Sequence, residues 1–400
     1  SRFSLIGIRW RGAGEVELRT RSLAGRWSPW RPAAPEPEDG PDPGSPEAST
    51  GWRVGNPWWV GPSNALQVRV RGEGVAQVRA HLVWSPEVRV PLRSPAAVGM
   101  PPIVPRAVWG ADEAIRRAPP VYAPTLRLAI VHHTAGRNDY TRAEAPAIVR
   151  AIQLFHVEGN GWNDIGYNFL VDRFGTIYEG RFGGIDRNVV GAHAMGFNTG
   201  SVGIALLGSY GETAPSAAAR EALARLLAWR LDVAHLDPTG VLTVLSGGNE
   251  RYARGLPVTL RAVSGHRDVG STACPGDELY RQLDELARTA RRTGGDKVFE
   301  PTVETSGQTH RFRARLSSAL PWSVIVRDPD GAEVARGAGR GVSVDWTWEA
   351  TAVPPATYGW TITAGSARSA TGSLRAGAPA TVGLEEVALE PSAISPNGDG

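Results

Sequence analysis

The chain holds one cysteine in 400 residues, Cys274, inside Ser264-Gly265-His266-Arg267-Asp268-Val269-Gly270-Ser271-Thr272-Ala273-Cys274-Pro275-Gly276. A single thiol forms no internal disulfide, so it is an inert buried residue, a nucleophile or a metal ligand. Structural cysteines usually sit in apolar runs. This one follows a histidine by eight positions among glycine, serine and proline, which favours a metal or catalysis.

A metal needs further ligands. Leu126-Arg127-Leu128-Ala129-Ile130-Val131 is a short apolar, β-branched run ending in His132-His133-Thr134-Ala135-Gly136, a buried strand that delivers two histidines at its carboxyl end. Side chains alternate faces along a strand, so only one of the pair points at a given ion. Two histidines and a thiolate suit zinc, and three protein ligands leave one tetrahedral position open, as in hydrolytic sites. A cysteine hydrolase built on Cys274 and His266 is the competing chemistry.

Four segments carry a family resemblance: Ile130-Val131-His132-His133-Thr134-Ala135, Asp164-Ile165-Gly166-Tyr167-Asn168-Phe169, Gly191-Ala192-His193-Ala194-Met195-Gly196-Phe197-Asn198, and His266 through Pro275. In order and spacing they resemble the type 2 N-acetylmuramoyl-L-alanine amidases, whose fold includes the peptidoglycan recognition proteins and the amidase-type phage lysozymes. The resemblance spans about Pro105 to Arg292. It implies His132, His266 and Cys274 as zinc ligands, Tyr167 and Thr272 as catalytic hydrogen-bond donors, and His133, Trp162, His193 and Asn198 along the substrate groove. The implied reaction is hydrolysis of the amide between N-acetylmuramic acid and L-alanine of peptidoglycan stem peptides. The implied alternative is a module that binds peptidoglycan without cutting it; such relatives typically lack the cysteine. No glutamate is identified as a general base.

The length suggests about three domains, and the expected fold class is multidomain α/β plus all-β. Residues 1–93 read as an N-terminal all-β domain, with Val16 and Leu18, then Leu66, Val68 and Val70, alternating with polar residues. Half of the fourteen tryptophans fall there, and Trp10 and Trp84, inside strand-like runs, are expected in its core. Pro32 to Pro43 is proline-rich and acidic and reads as an exposed loop; residues 94–104 read as a linker. Residues 105–295 form the zinc amidase domain, a mixed β-sheet with packed helices. A capping box at Thr141 to Glu144 opens one helix, a hairpin turns at Arg173-Phe174-Gly175 with Tyr167 at a sheet edge, and Ser216 caps a second helix.

Beyond Gly295 the helical signals stop. Trp322, Val324 and Val326, then Val342, Val344, Trp346 and Trp348, alternate on either side of a turn at Asp328-Pro329-Asp330-Gly331, so residues 296–390 read as an immunoglobulin-like β-sandwich. Residues 391–400 read as the start of a further segment. The net charge of +3 predicts no nucleic-acid partner, and no apolar run is long enough to span a bilayer. The chain opens at Ser1-Arg2 without a signal peptide, so a secreted or wall-associated location rests on the implied substrate alone. A monomer is expected.

Overall fold

The computed structural model describes residues 2–33, 39–48, 52–87 and 99–377. The segment 391–400 and residues 94–98 of the expected linker lie outside them. Two compact units divide the chain, residues 1–299 and 300–400.

At the amino end of the first unit, Phe3–Arg11, Glu15–Ser22, Trp58–Arg71 and Ala76–Val83 build an antiparallel sheet with two short flanking strands. Its apolar side closes over Phe3, Ile6, Ile8, Trp10, Val16 and Leu18. Trp10 is buried there, whereas Trp84 stays outside the core with the Arg2 guanidinium over its ring. Trp27, Trp30 and Trp52 likewise lie under arginines. The tryptophans of this region therefore divide between core and an arginine-covered surface.

This sheet packs on the next region. Leu5, Trp59 and Val83 share one buried cluster with Ile148, Ile152 and Phe155, and at Gly7 any side chain would collide with the Phe155 ring. Only glycine permits so close an approach of strand and ring.

The central region is a six-stranded mixed sheet in the order Val263–Gly265, Leu128–His133, Ser201–Leu206, Phe169–Val171, Ile177–Glu179, Ile103–Val104. Ile103–Val104, part of the expected linker, is thus its outermost strand, parallel to Ile177–Glu179. The strand Phe169–Val171, expected at an edge, lies inside, with neighbours on both sides. Burial on both faces explains the near-continuous apolar runs in its parallel strands.

Helices Ala217–Val233 and Leu283–Arg292 cover one face through Leu223, Leu226, Leu227, Leu283 and Leu286. Ser216 caps the first by accepting from Ala219 N–H at 3.1 Å. Helix Ala145–Leu154 lies on the other face, its entry fixed by reciprocal bonds between Thr141 and Glu144. It runs into a π-helical turn at Phe155–Gly159.

The second unit is all-β among the described residues. Thr309–Arg327 and Glu333–Glu349 are long paired strands, joined by a turn closed by Gly331 N–H donating to Asp328 O. With Val298–Ser306, Ala356–Ala364 and Ala370–Ala376 they make one five-stranded sheet rather than two separately bonded ones, because a register shift between Arg315 and Leu320 lets one strand serve two stretches of pairing.

Candidate active site

Strands Leu128–His133 and Val263–Gly265 are parallel neighbours, with Val131 opposite Gly265. The next residue of each is a histidine, so the register alone sets His132 beside His266 at the carboxyl ends of the strands, where open α/β sheets carry their sites. The turn after His266 returns Cys274 to the same point. Ligand atoms of His132, His266 and Cys274 all lie within 4.8 Å of one another, and the three residues are buried. Cys274 Sγ is 3.8 Å from His132 Nδ1.

The cysteine turn is locally fixed. Thr272 Oγ1 accepts from Cys274 N–H at 3.0 Å, Arg267 N–H donates to Cys274 O at 2.9 Å, and Asp268 accepts from Gly265 N–H, Arg261 and Tyr280. Thr272 thus shapes the turn that carries the sulfur. Backbone N–H of His133 donates to Sγ at 3.4 Å.

His132 and His133 diverge as strand alternation requires. His132 faces the cluster, while His133 is buried on the opposite face with its Nδ1 accepting from Tyr210 N–H at 3.2 Å, so it is not on the groove wall expected for it. Burial first, then the neighbouring His266, pushes the pKa of His132 down to about 4. Its imidazole is therefore neutral near pH 7. Its Nε2 lies 3.0 Å from His193 Nδ1, so the two rings share one hydrogen bond.

His193 is fully buried behind His132, not along the groove, and is held from its other side by Ser201. Its ring rests against Gly191 and Gly203, where an added Cβ would overlap it. A group that orients a histidine through a hydrogen bond is the outer-shell partner common at metal sites. Trp162 packs against His156, ring centroids 4.5 Å apart, and His156 Nδ1 accepts from Gly166 N–H. Burial pushes the pKa of His156 down to about 3.

The donor set fits zinc: two imidazoles and a sulfur converge in a buried pocket.

The Tyr167 hydroxyl points at this cluster and donates to Asp39 Oδ2 at 2.8 Å. Asp39 lies in the segment expected to be an exposed loop. Residues Asp39 to Ala48 instead run along the site as a strap: Gly40 O and Asp42 Oδ1 accept from Asn198 Nδ2 at 2.9 and 2.7 Å, Asp42 Oδ1 also from Gly196 N–H, and Glu47 Oε2 from Arg181 and Asn163 N–H. Arg254 donates to Pro43 O. A Cβ at Gly40 would lie 3.6 Å from Trp162 and 3.8 Å from Met195. Beyond the strap a cavity of about 600 Å³ continues, lined by Glu47, Tyr122, Phe182, Val190 and Thr199. The sequence reading missed these strap residues and Arg181. The available signal was that Pro32 to Gly51 carries five acidic residues and no basic one.

Comparison with known proteins matches residues 122–277 to a family described as N-acetylmuramoyl-L-alanine amidase. Residues 1–94 match an Rv3811 N-terminal galactose-binding domain-like family. Peptidoglycan-recognition protein SC2 of Drosophila simulans is 34% identical over 181 residues, 45% of this chain and 84% of that protein. The N-acetylmuramoyl-L-alanine amidase of Sus scrofa is 34% identical over 210 residues, 50% of this chain and 31% of that protein. The crystal structure of human PGRP-IBETAC with glycosamyl muramyl pentapeptide is 34% identical, covering 45% of this chain and 93% of that one, with a TM-score of 0.36. With 34% identity over 181 residues that cover 84% of the relative, the chain belongs to the family of the N-acetylmuramoyl-L-alanine amidases and peptidoglycan-recognition proteins.

Proposed function

We propose that this protein is a zinc-dependent N-acetylmuramoyl-L-alanine amidase that hydrolyses the bond between N-acetylmuramic acid and L-alanine of the stem peptide. The observation that carries the reading is the buried convergence of His132, His266 and Cys274 with the Tyr167 hydroxyl directed at the same point. Polarisation of the scissile carbonyl and activation of water at neutral pH are the chemistry that zinc supplies when bound. His132 and His266 offer ring nitrogens, Cys274 a sulfur, and His193 orients the His132 ring through a hydrogen bond at Nε2. Tyr167 donates a hydrogen bond to the oxygen on which negative charge develops. Thr272 acts on Cys274 through its backbone N–H.

The likeness to proteins named for recognition favours a second reading, binding without cleavage. Muropeptides digested with wild type and with Cys274→Ala, then resolved by mass spectrometry, separate the two. Free stem peptides from wild type alone are expected; none from either, with both retained on walls, would leave recognition as the function. With peptidoglycan as its substrate, a secreted or wall-associated location is part of this reading. The amino-terminal domain and the carboxy-terminal β unit, read as immunoglobulin-like, serve attachment to intact walls.

A further inference from the structure

We infer that Asp39 is a fourth protein ligand at the metal site and that the strap Asp39 to Glu47 fills the substrate groove, so the protein as folded is a closed form that substrate must open. The inference rests on the amidase reading for its metal and extends it to regulation. Asp39 Oδ1 lies 3.1 Å from His266 Nδ1 and 3.6 Å from His132 Nδ1. Asp39 Oδ1 and His266 Nδ1 meet as a buried ion-pair contact, and Asp39 Oδ1 has no partner beyond the two ring nitrogens among the described residues. A buried carboxylate oxygen that closes on two ring nitrogens, both within reach of the Cys274 sulfur, is placed as a further ligand of one cation would be. Ligands at the bond lengths of tetrahedral zinc stand roughly 3.3–3.6 Å apart, and both separations lie close to that. The carboxylate oxygen therefore occupies the position that a catalytic zinc site keeps for water, and its other oxygen takes the Tyr167 hydroxyl.

The remainder of the strap is held by groove residues. Asp42 takes Asn198 and the Gly196 N–H, and Glu47 takes Arg181 with both side chains nearly buried. Three carboxylates thus engage three donor points along one line, the way an extended ligand bearing carboxylates would. The strap is tethered in the same chain, so its effective concentration at the site is high and a weak individual contact suffices to compete with free substrate. If the strap is closed nine-tenths to ninety-nine hundredths of the time, apparent substrate affinity falls by about 10- to 100-fold.

The test uses the full-length chain and two readouts. In the first, metal-free wild type and Asp42→Ala/Glu47→Gln are titrated calorimetrically with a soluble disaccharide-tetrapeptide muropeptide. The variant should bind about 10-fold more tightly or better; equal affinity would overturn the strap. Binding by neither protein would count against the amidase reading instead, and the second readout then decides for the strap alone. There, the Co(II)-substituted proteins are titrated with acetohydroxamate, and the visible spectrum reports whether a position at the metal is open. Asp39→Ala should respond at about 10-fold lower acetohydroxamate than wild type. Identical titrations would overturn Asp39 as ligand. A faster release of stem peptide by Asp39→Ala is expected; a slower one, with metal content unchanged, would make Asp39 part of the catalytic machinery and overturn the closed form.

Discussion

Two segments meet at the pocket of His132, His266 and Cys274 and are built differently. The turn from Gly265 to Cys274 is held by its own neighbours: Thr272 to Cys274, Arg267 to Cys274, Asp268 to Gly265, all within a few residues. The strap from Asp39 to Ala48 has two short internal bonds, Ser45 to Asp42 and Ala48 to Ser45, and otherwise depends on partners more than a hundred residues away. A segment fixed by local bonds keeps its geometry whatever arrives in the groove. A segment fixed by distant ones can leave without unfolding anything, which is how mobile elements of enzymes are usually made.

The contrast can be broken most severely from the turn. Cys274→Ala removes the sulfur, and zinc affinity and hydrolysis should both collapse, as elemental analysis and peptide release would report. Retention of a full equivalent of chelator-sensitive zinc would place the metal elsewhere. Next in size is Tyr167→Phe, which should keep metal and fold while slowing hydrolysis by about 10- to 1000-fold; unchanged turnover would remove the hydroxyl from the mechanism.

Asp268→Asn probes the local bonds themselves. Its carboxylate serves Gly265 N–H, Arg261 and Tyr280, so the substitution should lower metal affinity by roughly 10- to 100-fold and stability by about 1–3 kcal/mol. The equivalent assault on the strap, Asp42→Ala, should leave the melting temperature nearly where it was, since the segment contributes little to the core; a large loss would make the strap a structural element.

A separate expected effect concerns pH. His156 has a folded pKa near 3 because burial disfavours its charged form, against about 6.5 when unfolded. Above pH 6.5 it is neutral in both states. As pH falls from 6.5 toward 3 the unfolded chain takes up the proton first, so stability should drop by up to about 1.4 kcal/mol per unit from this residue. His156→Gln, measured by chemical denaturation at pH 7 and pH 5, should flatten that slope.

The same contrast explains what could be read from the sequence. The ligand turn, the capping box at Thr141 and the alternation that separates His132 from His133 are local, and local patterns survive in one dimension. Neither the interior place of Phe169–Val171 nor the addition of Ile103–Val104 to the sheet is encoded nearby; both follow from strand order. His193 carried a motif but not its orientation, which depends on where His132 points. Asp39 was hidden furthest, 128 residues before the tyrosine it meets. Prolines and unpaired acids look like solvent-exposed chain until the arginine and amides that receive them are known.

The glycines behind His193 turn that arrangement into an instrument. Gly191 and Gly203 bracket the imidazole, and a methyl group at either would press it toward His132. An alanine at Gly203 changes no proposed ligand, no charge and no donor, yet it would crowd the His193 ring that bonds to His132. Tight packing behind His193 is thus a tuning screw: under the proposed zinc reading, affinity for zinc over its neighbours in the first transition row can be altered here by sterics alone.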